Sequence, residues 1–186
     1  MCNLPGLINP LSAGGITGSN PSAPHSLYRS ASTGLPSGPG ETEINRFRVV
    51  HMMPYETLEH TADILVRCTG DTMEECFESA AYALFDQMVD IRTVTKERRF
   101  SFEVEAEDME GRLYSFLSEF LFLLDSESAV MSSFKVGFNG DKVSCEAYGE
   151  PLDIGKHRPR TEIKAITYHM MHIDTDAPSV TVLFDV

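Results

Sequence analysis

The sequence is short of positive charge: 15 Lys and Arg stand against 28 Asp and Glu, a formal net charge of −13. That shortage argues against non-specific nucleic-acid binding, because neutralising a phosphate backbone takes Lys and Arg. Any part the chain plays with nucleic acid would therefore run through another protein. It has no apolar run of the roughly 18 residues that a membrane helix needs, so no membrane partner is expected. The N-terminus has neither the charged start nor the apolar block of a secretory signal. Cysteines occur only at Cys2, Cys68, Cys76 and Cys145, with no C-x-x-C pair and no zinc-like Cys/His spacing. They read as free thiols of a reducing compartment, which implies a cytoplasmic or nuclear setting. A Gly-rich phosphate loop, a nucleophile elbow and H-E-x-x-H are all missing.

Two compositions follow one another along the chain. Residues 1–40 are rich in Ser, Gly and Pro, and Arg29 is their only charged residue. Such a segment cannot bury enough apolar surface to offset its chain entropy, so 1–40 is expected to be disordered and 41–52 a linker. Many serines and no acids also loosely suit an organellar transit peptide, although one Arg is little charge for that. The folded domain is expected over 53–186.

Within it, Ile64, Val66 and Cys68 alternate as in a strand. In "GDTMEECFESAAYALFDQMVD", residues Met73, Phe77, Ala80, Ala81, Leu84, Phe85 and Met88 form a helical stripe, with Asp71 or Thr72 as cap. "RRFSFEVEAE" alternates strictly, a strand with one solvated face. A second amphipathic helix is expected from about Glu110 to Asp125. Two strands follow, around Phe134–Phe138 and Val143–Cys145, with Asn139-Gly140 between them suited to a type I′ turn. "TEIKAITYHMMHI" reads as a strand that includes Lys164, and "SVTVLFDV" as the last one. The fold class is α+β: two amphipathic helices packed on one mixed or antiparallel sheet.

Candidate chemistry is sparse. Asp63 in "EHTAD" is either a turn carboxylate or a ligand. Asp185 sits in an apolar terminal strand, where a buried carboxylate is costly unless paired or bound to a cation. The α-carboxylate of Val186 is one residue away, so a hard divalent ion (Ca²⁺, Mg²⁺ or Mn²⁺) would relieve the repulsion; a frayed, solvated end is the alternative. Lys156, His157, Arg158, Arg160 and Lys164 form the one dense basic cluster, read as a solvated loop, a phosphate contact or a dock for an acidic partner. His169 and His172 in "HMMH" would share a helix face, but on the expected strand they point oppositely, which argues against a metal pair.

Taken together, "YETLEHTADI", the G-D-T-x-E-E helix start at 70–75, "GRLYSFLSEFLFLLD", "KHRPRTEIKAITYH" at 156–169 and the closing "FDV" resemble the archease family over about residues 54–186. The resemblance says nothing about 1–52. It implies an α+β domain with a divalent-metal site made by Asp63, Asp185 and the terminal carboxylate of Val186. It places Lys164 at a functional lysine position, with His60, Glu162 and His157 as lesser candidates. The implied role is non-catalytic: activation of the RtcB-type RNA ligase of tRNA splicing, promoting guanylylation of the ligase and multiple turnover. GTP and RNA would be met only through the ligase. The competing readings are a metal-dependent phosphohydrolase and a chaperone-like binding module for RNA-processing enzymes.

Overall fold

A computed structural model describes residues 53–60 and 62–186. The expectations for 1–52, and Thr61 of the "HTAD" stretch, lie outside the described residues.

Among the described residues, seven strands and three helices follow in the order β1 (Tyr55–Leu58), β2 (Ile64–Thr69), α1 (Met73–Met88), β3 (Arg98–Glu105), α2 (Met109–Glu127), β4 (Ala129–Asn139), β5 (Lys142–Pro151), α3 (Ile154–His157), β6 (Ala165–Asp174) and β7 (Ser179–Asp185), with a 3-10 turn at Ile91–Thr93. The α+β class is as expected. The strands, however, form two antiparallel sheets rather than one, ordered β1-β2-β7-β6 and β3-β5-β4.

Local chemistry sets the helix ends. Thr72 accepts a hydrogen bond from the Glu75 amide, and Glu75 in turn accepts one from the Asp71 amide, so two orphan donors at the start of α1 are satisfied. Asp108 does the same for Gly111 at the start of α2. Ser128 ends α2 in the left-handed conformation.

Helices α1 and α2 each touch both sheets, which puts the core between the two. The three-stranded sheet contributes Phe100, Phe102, Val104, Phe134, Val143 and Cys145, and its other face carries polar residues such as Glu103 and Glu146. The four-stranded sheet contributes Val66, Cys68, Val180, Val182 and Phe184. At the centre, Phe120 meets Phe85, Phe102, Phe116 and Phe134 edge to face, at centroid distances of 5.6, 5.1, 5.1 and 5.4 Å. Each such ring is worth about 1.5–3 kcal/mol in burial alone.

Two local expectations change. The β4–β5 hairpin turns on Gly140 and Asp141, not on Asn139-Gly140, since Asn139 still pairs with Lys142. Only Gly140 has positive φ, at 59°, the pattern of a type II′ rather than a type I′ turn. Lys164 lies one residue before β6 instead of inside a strand. Residues 160 and 161 instead donate their amides to Met88 and Gln87 at the end of α1, which draws this stretch out of the sheet.

Candidate functional site

The antiparallel registers of β2, β7 and β6 bring Asp63, Asp185 and Lys164 to one end of the four-stranded sheet. Ile64 pairs with Phe184, so Asp63, just before it, and Asp185, just after its partner, stand at the same end of adjacent strands. On the other side Ala165 pairs with Asp185, and the Lys164 amide donates to the Asp185 carbonyl at 2.8 Å. Phe184 points into the core, so by the two-residue period of a strand Asp185 points to the opposite face, with Leu183. Asp185 and Val186 are half-buried, and Lys164 is exposed and makes no ion pair among the described residues.

Asp63 sits in the bend that leads into β2. Its amide donates to His60 Nδ1 at 3.3 Å, and its carboxylate lies 3.6 Å from the same nitrogen. The imidazole therefore closes the turn that aims Asp63. Glu162 is exposed between Thr161 and the buried Ile163, two residues before Lys164. On the same side of the sheet as Asp185, Thr167 pairs with Leu183, and its buried hydroxyl has no hydrogen-bond partner. Sequence reasoning missed Thr167; a hydroxyl in a β-branched strand gives no signal of its own.

The donors gathered here are hard oxygens, the chemistry that suits Ca²⁺, Mg²⁺ or Mn²⁺. The orphaned Thr167 hydroxyl on the same face also fits an end of the sheet built to meet a polar ligand. Among the described residues, no group of three or more His, Cys, Asp and Glu is arranged to hold a metal. A site built on Asp63 and Asp185 would thus draw further oxygens from elsewhere, such as the expected Val186 carboxylate or water.

The basic stretch at 156–160 turns out to face the protein's own acids. Lys156 Nζ donates to both Glu150 oxygens, at 2.7 and 2.6 Å. Arg160 reaches the Asp86 carboxylate at 3.1 Å, and Arg158 stands 3.8 Å from Asp90. Asp90 is also held by Arg92, whose guanidinium keeps its carboxyl below the usual range. His157 is fully buried, and its partners are Asp153 and Glu150 rather than Asp63 or Asp185. Its Nδ1 accepts from the Asp153 amide at 2.9 Å, which leaves Nε2 facing Glu150 Oε1 at 3.2 Å.

Glu150 is the second residue that spacing did not single out, as one acid near a strand end reads as a surface group. In the fold it is 6% exposed. Burial pushes its carboxyl up, but the Lys156 ammonium, the Thr95 amide and hydroxyl, and His157 together bring it down to about 2. This cluster ties residues 152–161 to β5 and to the end of α1, and that same segment leads to Lys164.

Comparison with known proteins places this architecture. The Archease protein family model matches residues 55–186. The archease of Pyrococcus furiosus is 48% identical over 127 residues, 66% of this chain and 89% of that protein. An archease-like protein of Drosophila melanogaster is 38% identical over 128 residues, 67% of this chain and 82% of that one. The solution structure of Methanobacterium thermoautotrophicum protein 1598 superposes with a TM-score of 0.63 at 31% identity, covering 73% of this chain and all of that one. Matching sequence, matching topology and the shared run from Tyr55 to Val186 together establish that the chain belongs to the archease family.

Proposed function

We propose that this protein is a non-catalytic, metal-binding activator of the RtcB-type RNA ligase of tRNA splicing, and that it promotes guanylylation of the ligase and multiple turnover. The observation that carries the reading is the register just described: Ile64 with Phe184 and Ala165 with Asp185, which bring Asp63, Asp185 and Lys164 to one sheet end. In this reading Asp63 and Asp185 hold a Ca²⁺, Mg²⁺ or Mn²⁺ ion, together with the carboxylate expected on Val186. Such an ion would supply Lewis-acid stabilisation of phosphate charge.

The chain's own residues do the rest. His60 fixes the turn that presents Asp63. The Lys164 backbone is pinned to the Asp185 carbonyl, which keeps this exposed lysine at the same sheet end, where its ammonium can meet a phosphate of GTP held by the ligase. The net charge of −13 suits docking onto a basic, RNA-binding surface and keeps the protein off free RNA.

The test is a ligase guanylylation assay with wild-type protein and with Asp63→Ala and Asp185→Ala. Both substitutions are expected to abolish stimulation with thermal unfolding unchanged. Full stimulation by both variants would refute the site and favour a chaperone-like module. Hydrolysis of phosphate esters without the ligase would favour a phosphohydrolase.

A further inference from the structure

The edge strand β6 breaks its own regularity close to the candidate site. Its pairing with β7 runs in register to Thr167 with Leu183, and resumes only at His172 with Thr181. Four residues, 168–171, fall in the break. Met170 there has φ of 57°, a left-handed conformation that is unfavourable for a non-glycine residue and persists only where something holds it. The break also turns large apolar side chains outward: Tyr168 is 57% exposed and Met170 49% exposed. Tyr168 is backed by Tyr114 of α2, with ring centroids 4.4 Å apart and planes 11° from parallel, so it is a rigid platform and not a loose side chain. Burial and the neighbouring Tyr114 and Asp108 push its phenol up.

An irregularity that only ended an edge strand would not need to expose Tyr and Met. Bulges re-aim side chains, and exposed Tyr and Met are typical interface anchors. The surroundings specify what would cover them. The flanking helix α2 is capped by Asp108 and carries Glu110 four residues before Tyr114, while its single cation, Arg112, is engaged by Asp141 at 2.6 Å. Tyr168 is three residues past Ala165, the partner of Asp185, so the platform lies about 10 Å along the strand from the candidate metal end at ~3.3 Å per residue. A protein that receives Lys164 and Asp185 would touch the bulge next.

We infer that the Tyr168–Met170 bulge, backed by Tyr114, is the anchor by which this protein docks on its partner, seated in an apolar cleft rimmed by Lys and Arg beside the nucleotide site of the RtcB-type ligase. The inference rests on the proposed function for the partner's identity. It assigns separate work to the two features: the bulge sets affinity, and the Asp63–Asp185–Lys164 end sets the effect on the bound ligase.

The experiment measures the dissociation constant of the full chain for the ligase by fluorescence anisotropy, and separately the maximal guanylylation rate at saturating activator. Tyr168→Ala and Met170→Gly are each expected to weaken binding about tenfold or more, with the maximal rate unchanged at saturation. Added salt is expected to weaken wild-type binding. Met170→Gly is the safeguard against misfolding: glycine accepts the left-handed backbone, so its melting temperature should equal or exceed the wild-type value while binding falls. Wild-type affinity in both variants overturns the inference, and if Asp185→Ala still abolishes the rate, the proposed function stands without it. If the wild-type chain does not bind the ligase, both fail. Two further results reassign the face and also overturn the inference. One is a sedimenting dimer that Tyr168→Ala dissociates, which gives it to a second copy. The other is faster proteolysis of residues 1–52 in Tyr168→Ala with ligase affinity intact, which gives it to this chain's own N-terminal segment.

Discussion

Replacing Glu150 with Gln is expected to lower stability by about 2 kcal/mol, a loss that is itself pH-dependent. The carboxylate is almost enclosed and accepts from Lys156 Nζ twice, at 2.7 and 2.6 Å, and from the Thr95 amide. Hydrogen bonds to a charged partner contribute about 1.5–3 kcal/mol. Breaking a fully buried ion pair costs about 3–5 kcal/mol, because the remaining charge is stranded. Here the Lys156 side chain is 37% exposed and can turn to water, and the Gln carbonyl can still accept from Thr95. The lower range therefore applies, and a loss of about 2 kcal/mol corresponds to roughly 6–10 °C in melting temperature for a domain of this size.

The pH dependence has a definite sign. The folded-state carboxyl is depressed to about 2 from an ordinary 4.5, so its contribution is complete above about pH 4.5 and is lost as pH falls toward 2. Thermal melts of wild type and Glu150→Gln should differ by a constant amount near neutrality and converge between pH 4.5 and 2. A gap that stays constant throughout that range, or no gap at neutral pH, would refute the reasoning.

Two other substitutions test the packing. Phe120→Ala removes the ring at the centre of the aromatic cluster and is expected to cost about 3–5 kcal/mol in urea unfolding; a cost below 1 kcal/mol would mean the cluster is not the core. Gly149→Ala would place a methyl 1.9 Å from the Val130 carbonyl oxygen and 2.8 Å from Met131 Cα, on the neighbouring strand. It should cost about 2 kcal/mol or more and speed amide exchange along β4 and β5, whereas unchanged exchange would contradict the close approach.

Local pattern was legible and partnership was not. The stripes of α1 and α2 and the alternation in β3 and β7 reflect burial on one face, which hydrophobic period reports directly. Nothing in that period says which strand lies next to which, so the division into two sheets was hidden. The short strand β1 was hidden too, since its half-exposed residues alternate weakly. The stretch before Ala165 looked like a strand because it is rich in β-branched residues, but its amides are taken by the end of α1. The basic cluster misled for the same reason: Arg160 pairs with Asp86, 74 residues away in the chain, and no spacing rule reaches that far. For the site, composition singled out Asp185 as an odd carboxylate, but only the family resemblance joined it to Asp63 and Lys164. The register then gave that joining a physical basis, since consecutive pairs along β2, β7 and β6 place all three at one sheet end.

The central claim is that Asp63 and Asp185 act together on one divalent ion, and calorimetric titration of the isolated protein with Mn²⁺, Mg²⁺ and Ca²⁺ tests it without involving the ligase. The account predicts one site on the wild-type chain that either Asp63→Asn or Asp185→Asn alone removes, with both variants still folded. Undiminished metal binding in either variant, or no binding by the wild-type chain, would contradict it.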